Sequence, residues 1–425
     1  MCIRDSSDIF SNFGVRSIQP FFSRRVGLNA DDEPQTIIYG ARLSGNLNKD
    51  WRVGVMNLQT NRDDENLGQN FTVASVQRRV FARSTIKAMF QNRQAIDGTD
   101  FNNDDFGRNA SLEFNYTTKD GKWSGWAGYH YSWKAGFTTD NDFYNTGVNY
   151  QGTNLEVRSS FLKIGTNYFA DQGFIRRIEN FDSVRDTTIR LGFTQWESRA
   201  NYQFLTPDHP KINRHNIFVE NTVFWNPDGS FNERESRIQY NINFRNRSRF
   251  SVNVINQELD LQFPFSFFDD VTPFPTQKYN FTSSRISYRS DQRKRFVYNI
   301  RVRHGSFYNG TRTSYNLGVN YRIQPWGNFG VDLEQNSLRF PEGFGEQDLF
   351  QINSNISINF SKRLFWTTFV LLSTLESDFR INSRLQWRYK PQSDIFLVYS
   401  DNYGGEPFGS SFRALLLKIN YWFQV

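Results

Sequence analysis

Several residue patterns are missing from this 425-residue chain, and each absence excludes a class of protein. The only cysteine is Cys2, so the sequence offers no disulfide framework, zinc-ligand spacing or Cys–His nucleophile. Apolar runs of about 20 residues, which a helical membrane protein needs, do not occur. The four histidines are too scattered for a His-rich metal site: His130, His209, His215 and His304. We therefore predict no metal, no cofactor and no catalytic residue.

Basic residues are in excess but are not clustered. Lys and Arg number 50 against 43 Asp and Glu, a formal net charge of +7, and they spread along the whole chain without a basic arm. We therefore expect no nucleic-acid partner. Nucleophile elbows, phosphate-binding loops and His-Glu-x-x-His motifs are also missing, which favours a protein that is not an enzyme. The sequence does not exclude a carboxylate pair for glycoside hydrolysis, because its two acids can come from distant strands.

Aromatic residues are abundant and alternate with polar ones. Phe, Tyr and Trp make up 17% of the chain, yet the mean hydropathy is −0.64. In residues 238–244, Ile238, Tyr240 and Ile242 alternate with amide side chains, which predicts a strand with one apolar and one polar face. The same alternation recurs in residues 296–302, 317–323, 352–360, 381–389 and 415–425.

Turn-forming residues divide these runs at intervals of roughly 10 to 15 residues, the spacing of hairpins rather than of strand–helix units. Four examples are residues 119–121, 226–229, 325–328 and 391–394. The sequence therefore predicts an all-β protein, a single antiparallel meander of roughly 18 to 20 strands. It also predicts a long aromatic loop over residues 261–276.

The apolar faces could meet lipid or pack against each other. Strands of 10 or more residues match a tilted bilayer crossing, and polar faces rich in Arg and Asn suit a watery lumen. Aromatic residues at strand ends suit interfacial belts, as at Trp51, Trp123, Trp126, Trp225, Trp366 and Trp422. We therefore predict a meander closed into a transmembrane β-barrel, since closure also removes exposed edges. The alternative is a soluble β-sandwich.

Four ordered motifs resemble a known family. They are Phe-Phe-Ser-Arg-Arg-Val-Gly at residues 21–27, Tyr-Gly-Ala-Arg-Leu-Ser-Gly at 39–45 with Trp-Arg-Val-Gly-Val at 51–55, and the segments 167–177 and 387–399. This pattern is similar to the C-terminal barrel domain called domain of unknown function 5916. The resemblance implies an exported protein of Bacteroidota-type Gram-negative bacteria, in which a carbohydrate-binding family nine-like module precedes the barrel. It supplies no catalytic residues.

Residues 1–7 resemble a non-native leader found on metagenome-assembled reading frames. We therefore interpret residues 8–425 as an N-terminally truncated barrel domain whose upstream module and signal peptide are missing. Any glycan binding by that module cannot be assigned to residues of this sequence.

Six arginines fall on polar strand faces and are predicted to line the lumen: Arg245, Arg301, Arg303, Arg322, Arg384 and Arg388. An open pore with this lining would favour anions or acidic saccharides. The competing interpretation pairs these arginines with inward acids such as Glu113, Asp332 and Glu334, or with a plug. The acidic segments 31–33, 63–65 and 104–105 are expected to be solvated loop tips, with calcium or glycan contacts as the alternative.

Together these patterns predict an outer-membrane β-barrel domain with a role in transport, anchoring or surface handling of glycans. Its expected partners are outer-membrane lipid and, through the missing module, glycans. One alternative is a surface-exposed polysaccharide hydrolase with a loop-borne active site, and the other is a soluble sandwich that acts as a binding module. The sequence does not predict the oligomeric state.

Overall fold

The structure is a computed structural model that describes residues 9–29, 33–63, 66–98, 100–268, 271–374, 378–404 and 409–422. Its strands, in chain order, are β1 (Ile18–Gln19), β2 (Ile37–Asn46), β3 (Trp51–Thr60), β4 (Gly68–Val80), β5 (Ser84–Asp97), β6 (Asp100–Thr117), β7 (Trp123–Lys134), β8 (Asp142–Gln151), β9 (Leu155–Ile164), β10 (Phe174–Ile175), β11 (Glu179–Asp182), β12 (Thr187–Arg190), β13 (Phe193–Leu205), β14 (Ile212–Trp225), β15 (Phe231–Phe244), β16 (Arg249–Asp260), β17 (Lys278–Arg289), β18 (Phe296–Phe307), β19 (Gly310–Ile323), β20 (Gly327–Arg339), β21 (Glu346–Asn359), β22 (Leu364–Ser373), β23 (Asp378–Lys390), β24 (Ser393–Gly404) and β25 (Gly409–Asn420). No described residue lies in a helix that could cross a membrane.

Twenty-one of the described strands form one barrel sheet. Each strand from β2 to β9 pairs antiparallel with the next, β9 pairs with β13, and the meander then continues to β25. This confirms the predicted all-β meander and rules out the sandwich, because a sandwich needs two stacked sheets. Each of the four predicted turns falls at the connection between two consecutive strands, although residues 327–328 and 393–394 already belong to β20 and β24.

The 21 strands of the barrel sheet exceed the top of the predicted range by one. Some turns between them contain no glycine or proline. The connection of β4 to β5 turns at Phe81, which adopts a positive φ of 53°. Tyr308 adopts a φ of 52° between β18 and β19. Bulky residues are uncommon in this left-handed region, so a sequence reading does not place turns there.

The two ends of the barrel differ in their connections. The turns that include residues 81–83 and 391–392 join strands at one end, which we call the short-turn end. At the opposite end, the long-loop end, residues 165–192 connect β9 to β13 and residues 261–277 connect β16 to β17. The predicted aromatic loop therefore lies at the long-loop end, although residues 269–270 fall outside the described part of the chain.

Exposed apolar side chains cover most of the outward face of the barrel between two levels of tryptophan. Trp123 and Trp387 lie near the short-turn end, and Trp133 and Trp196 lie near the long-loop end; all four are exposed. On β7, ten residues separate Trp123 from Trp133, or about 33 Å along the strand and roughly 25 Å along the axis of a typically tilted barrel. This height matches the apolar band of a membrane barrel. Not every predicted belt residue belongs here, because Trp126 faces inward and stacks under Arg158, 4.6 Å from the ring centre.

Half of the lumen is filled by chain that does not belong to the barrel wall. Residues 9–29 and 165–178, which we call the internal layer, pack against the inward faces of β3 to β9 and of β13 and β14, and β1 and β10 pair within the layer. One cluster joins the layer to β8, β9 and β13, and another joins it to β4 and β5. The buried side chains of the two clusters are Ile18, Phe143, Leu162, Ile164, Tyr168, Ile178 and Phe193, and Ile9, Phe10, Phe13, Phe21, Val73 and Met89. The main apolar core of the protein therefore lies inside the barrel.

Close packing and ion pairs hold the layer in place. A Cβ atom at Gly54 would lie 2.6 Å from Ile9 and 2.8 Å from Phe10, so the layer touches the backbone of β3. The Asp171 carboxylate lies 2.9 Å from Arg93 and 3.1 Å from Lys134. The layer therefore binds the wall through both apolar and charged contacts.

Candidate functional site

The other half of the lumen has a polar wall built by β14 to β20. Inward side chains alternate with outward ones along each strand, and on β16, β17 and β18 five of the inward residues are arginines. We call them the arginine wall: Arg249 on β16, Arg285 and Arg289 on β17, and Arg301 and Arg303 on β18. Arg249, Arg289 and Arg301 are exposed, so solutes in the lumen can reach them.

Two pairs of these arginines lie directly opposite each other. Arg249 is the register partner of Arg289, and Arg285 is the register partner of Arg303. Directly opposite residues of an antiparallel pair have Cβ atoms about 5 Å apart, and like charges there destabilise the sheet. Two unfavourable cross-strand pairs therefore lie close together on β16, β17 and β18.

Neutral groups rather than acids are the nearest partners of the arginine wall. Arg249 donates a hydrogen bond to the Asn241 amide oxygen at 2.7 Å, and Arg303 donates to the Ser283 hydroxyl at 3.0 Å. Among the described residues, no ion pair within 4.0 Å involves any of the five arginines. Their charge is therefore available to a ligand.

Acids near the wall are paired with other arginines. Glu220 and Glu235 both contact Arg237, at 3.2 and 2.6 Å. Glu233 contacts Arg177 of the internal layer at 2.5 Å. None of these three carboxylates lies within 4.0 Å of a wall arginine, so the wall keeps an excess of positive charge.

Two adjoining cavities lie along the wall. The first, of about 500 Å³, is lined by four of the five arginines together with hydroxyl and amide side chains and Asp332. The second, of about 380 Å³, lies nearer the long-loop end, where Arg285, Arg303 and Arg312 meet the rings of Phe307 and Tyr308. Because Arg285 lines both, the two cavities form one continuous surface.

An aromatic cluster stands beside the second cavity at the long-loop end. Phe274 of the long loop is buried against Tyr279, Tyr308 and Phe340. Burial among these rings raises the pKa of Tyr308 to about 12, with a smaller contribution from the charge of Glu233. The cluster therefore forms an apolar rim with a buried centre.

The six arginines predicted from the sequence have different surroundings. Arg301 and Arg303 belong to the arginine wall. Arg384 lies on the inward face of β23, 3.5 Å from the Thr367 hydroxyl, and Arg388 pairs with Asp394 at 3.2 Å.

The other two contact connections at the short-turn end. Arg245 follows the end of β15 and donates to the carbonyls of Pro207 and His209. Arg322, near the end of β19, donates to the Gln292 carbonyl at 2.8 Å.

The acids suggested as partners for the six arginines do not pair with them among the described residues. Glu113 pairs with Lys87 at 2.6 Å beside the internal layer, on the far side of the lumen. Asp332 lines the first cavity, and Glu334 accepts a hydrogen bond from Asn336. A plug exists as the internal layer, but it covers the half of the lumen away from the arginine wall.

Sequence reasoning missed Arg249, Arg285 and Arg289. Arg249 follows a turn, and Arg285 and Arg289 lie in a serine-rich strand whose apolar alternation is weak. A systematic count of inward positions on every strand would have found them. Their facing arrangement depends on strand register, which the sequence does not reveal.

The acidic segments do not form a metal site in the described part of the chain. No group of three or more potential metal ligands occurs there. Asp105 pairs with Arg93 at 2.5 Å instead of lying free at a loop tip. Residues 31–32 and 64–65 of the other two acidic segments lie outside the described residues.

No protein-family model matches the chain, and no curated protein gives a significant match. Several solved structures are similar in shape. The siderophore receptor PirA from Pseudomonas aeruginosa is 11% identical over 92% of this chain and 78% of its own, with a TM-score of 0.49. The copper transporter OprC is 8% identical over 89% and 77%, also at 0.49, and OccK10 (OpdN) from Pseudomonas aeruginosa is 11% identical over 77% and 99%, at 0.37.

Proposed function

We propose that this chain is an outer-membrane β-barrel that conducts anionic solutes, with acidic saccharides as the solute class. The observation that carries the proposal is the presence of two directly opposed arginine pairs without acid partners in the open half of the lumen. Rings of basic side chains favour anion passage, because they lower the energy of an anion in the pore.

The outward surface supports a membrane location. Apolar side chains such as Val254, Ile286 and Ile300 are exposed on the outside of the strands that carry the arginine wall. In water this surface would be an unusually large apolar patch, whereas in a bilayer it faces lipid tails. The tryptophan levels at its two borders fit the headgroup regions.

Transport is favoured over anchoring because part of the lumen is lined by solvent-exposed charge. An anchor needs only the outward face, and a lumen filled with apolar side chains would serve it equally well. The four sequence motifs further support membership of the domain of unknown function 5916 family and a glycan-related role in a Gram-negative bacterium.

The proposal is tested by ion selectivity in planar lipid bilayers. The protein is refolded in detergent and inserted, and the reversal potential is measured in a potassium chloride gradient. We expect preference for chloride, and we expect substitution of all five wall arginines by glutamine to abolish it. The matched control is Arg234→Gln, which removes the same charge from the outward side of β15, where Arg234 pairs with Glu258 at 3.1 Å.

Absence of any conductance, or selectivity that is the same in the wild type and the five-fold variant, would overturn the proposal. Heat-modifiable migration of each variant in detergent gels confirms that it is folded. Measurements at low salt are the most sensitive, since ions screen lumen charges over about 10 Å at 0.1 M.

A further inference from the structure

The arginine wall is extended along the strands instead of being concentrated at one level. Arg285 and Arg289 are four residues apart on β17, about 13 Å along the strand. Each belongs to a different opposed pair, and Arg301 lies at the level between them, opposite Ser287. A single small anion can neutralise only one of these levels.

The side chains between the arginine pairs are suited to hydroxyl groups. Ser251 and Ser287 face each other one level from Arg249, and Asn316 is the register partner of Arg301. Hydroxyl and amide groups both donate and accept hydrogen bonds, so they can bind neutral hydroxyls that alternate with charges. A polyphosphate chain has no such hydroxyls to offer.

At the long-loop end the same surface gains an apolar side. Arg312 lies over the Phe307 ring at 4.3 Å, and both line the second cavity with Tyr308. An amphipathic ring system next to guanidinium groups suits a ligand with an apolar C–H face and a carboxylate.

We propose that the ligand of the arginine wall is a linear acidic oligosaccharide, held by a sugar ring at Phe307 and Tyr308 and by two carboxylates of non-adjacent sugar units, one at the Arg285–Arg303 pair and one at the Arg249–Arg289 pair. This inference rests on the proposed anion pathway and specifies its substrate. Each opposed pair places two guanidinium forks where one carboxylate can accept from both, which offsets the repulsion between them.

Binding is measured by isothermal titration calorimetry on the full chain in detergent micelles. The probes are a four-unit oligomer of galacturonic acid, its monomer, the neutral four-unit glucose oligomer maltotetraose and tetrapolyphosphate. Because two linked charges bind two sites of one wall, we expect the acidic tetramer to bind at least tenfold more tightly than the monomer. We also expect the acidic tetramer to bind more tightly than tetrapolyphosphate and maltotetraose do.

Two double variants separate the levels of the wall. Arg285→Gln with Arg303→Gln, and Arg249→Gln with Arg289→Gln, should each reduce tetramer affinity about tenfold or more and bring it close to that of the monomer. The Arg234→Gln control should bind the tetramer like the wild type.

Equal affinity for monomer and tetramer, or tighter binding of tetrapolyphosphate or of maltotetraose, would overturn the oligosaccharide proposal. Chloride selectivity in bilayers is a separate readout. If it persists while the tetramer shows no advantage, the anion pathway stands and only the extended ligand is wrong.

Discussion

The ammonium group of Lys87 lies 2.6 Å from a Glu113 carboxylate oxygen, and both side chains are more than nine-tenths buried between the barrel wall and the internal layer. The same carboxylate accepts a hydrogen bond from the Gly14 backbone N–H at 2.5 Å, and the ammonium group donates to the Asn12 carbonyl. Each partner of the ion pair thus also binds the backbone of the internal layer. This arrangement connects the layer to β5 and β6.

Glu113→Gln should lower the free energy of unfolding by about 3–5 kcal/mol, because it leaves the buried Lys87 charge uncompensated. Denaturant unfolding in micelles measures the change. The double variant Glu113→Gln with Lys87→Met should recover part of the loss, since no charge then remains buried. The control Asp97→Asn breaks the exposed pair with Arg62 and should cost less than about 1 kcal/mol. Equal losses at the two sites would contradict this account.

Gly54→Val should displace the beginning of the internal layer, since even a Cβ atom would lie within 3 Å of Ile9 and Phe10. The expected result is faster tryptic cleavage at Arg16 and Arg24, with barrel migration in gels unchanged. Gly45→Val is the matched control, because nothing lies within 4 Å of a Cβ atom at that position. Identical cleavage rates for the two variants would show that the layer does not depend on this contact.

The aromatic cluster should weaken in strong alkali. The pKa of Tyr308 is raised to about 12 in the folded protein, above the usual value near 10, so the unfolded state loses its proton first. The stability contribution of this group is complete below pH 10 and declines as the pH rises toward 12. Denaturant titrations of the wild type and of Tyr308→Phe measure the free energy of unfolding at each pH. Between pH 10 and 12 this free energy should fall less in the variant than in the wild type. A parallel decline in both proteins would argue against a buried hydroxyl.

Trp123 and Trp126 are three residues apart on β7 but face opposite sides of the wall. In vesicles of lipids brominated near the headgroup, Trp123→Phe should reduce the quenchable part of the fluorescence. Trp126→Phe should leave the quenchable part unchanged, because its ring is inside the barrel. Equal effects of the two substitutions would mean that the outward surface does not contact lipid.

The alternating segments predicted the strands because every second residue of a strand points to the same face, so the pattern lies within one short segment. Ile238, Tyr240 and Ile242 identify β15 and its outward side without any knowledge of its neighbours. Turns that contain Gly or Pro were also predictable from the sequence. The turn at Phe81 was not, because a bulky residue with a positive φ is uncommon and has no sequence signature.

Contacts between segments far apart in the chain could not be predicted from the sequence. Glu113 looked like a partner for lumen arginines, but its partners are Lys87 and Gly14, which strand order and the folded-in internal layer bring to it. Arg285 and Arg303 form a pair only because the register of β17 and β18 places them opposite each other. A register depends on turn length and on the whole sheet, so the positive charge was predictable and its pairing was not.

The internal layer fills the lumen unevenly, so the two halves of the barrel wall differ in the number of buried side chains behind them. The internal layer packs against the inward faces of β4 to β8, whereas the arginine wall of β16 to β18 is not covered by it. Backbone amides in the second group have fewer buried contacts around them, so their hydrogen exchange with deuterated solvent should be faster. We therefore expect a single continuous sheet to contain two regions of different local stability, with the slowly exchanging amides on the side that the internal layer covers.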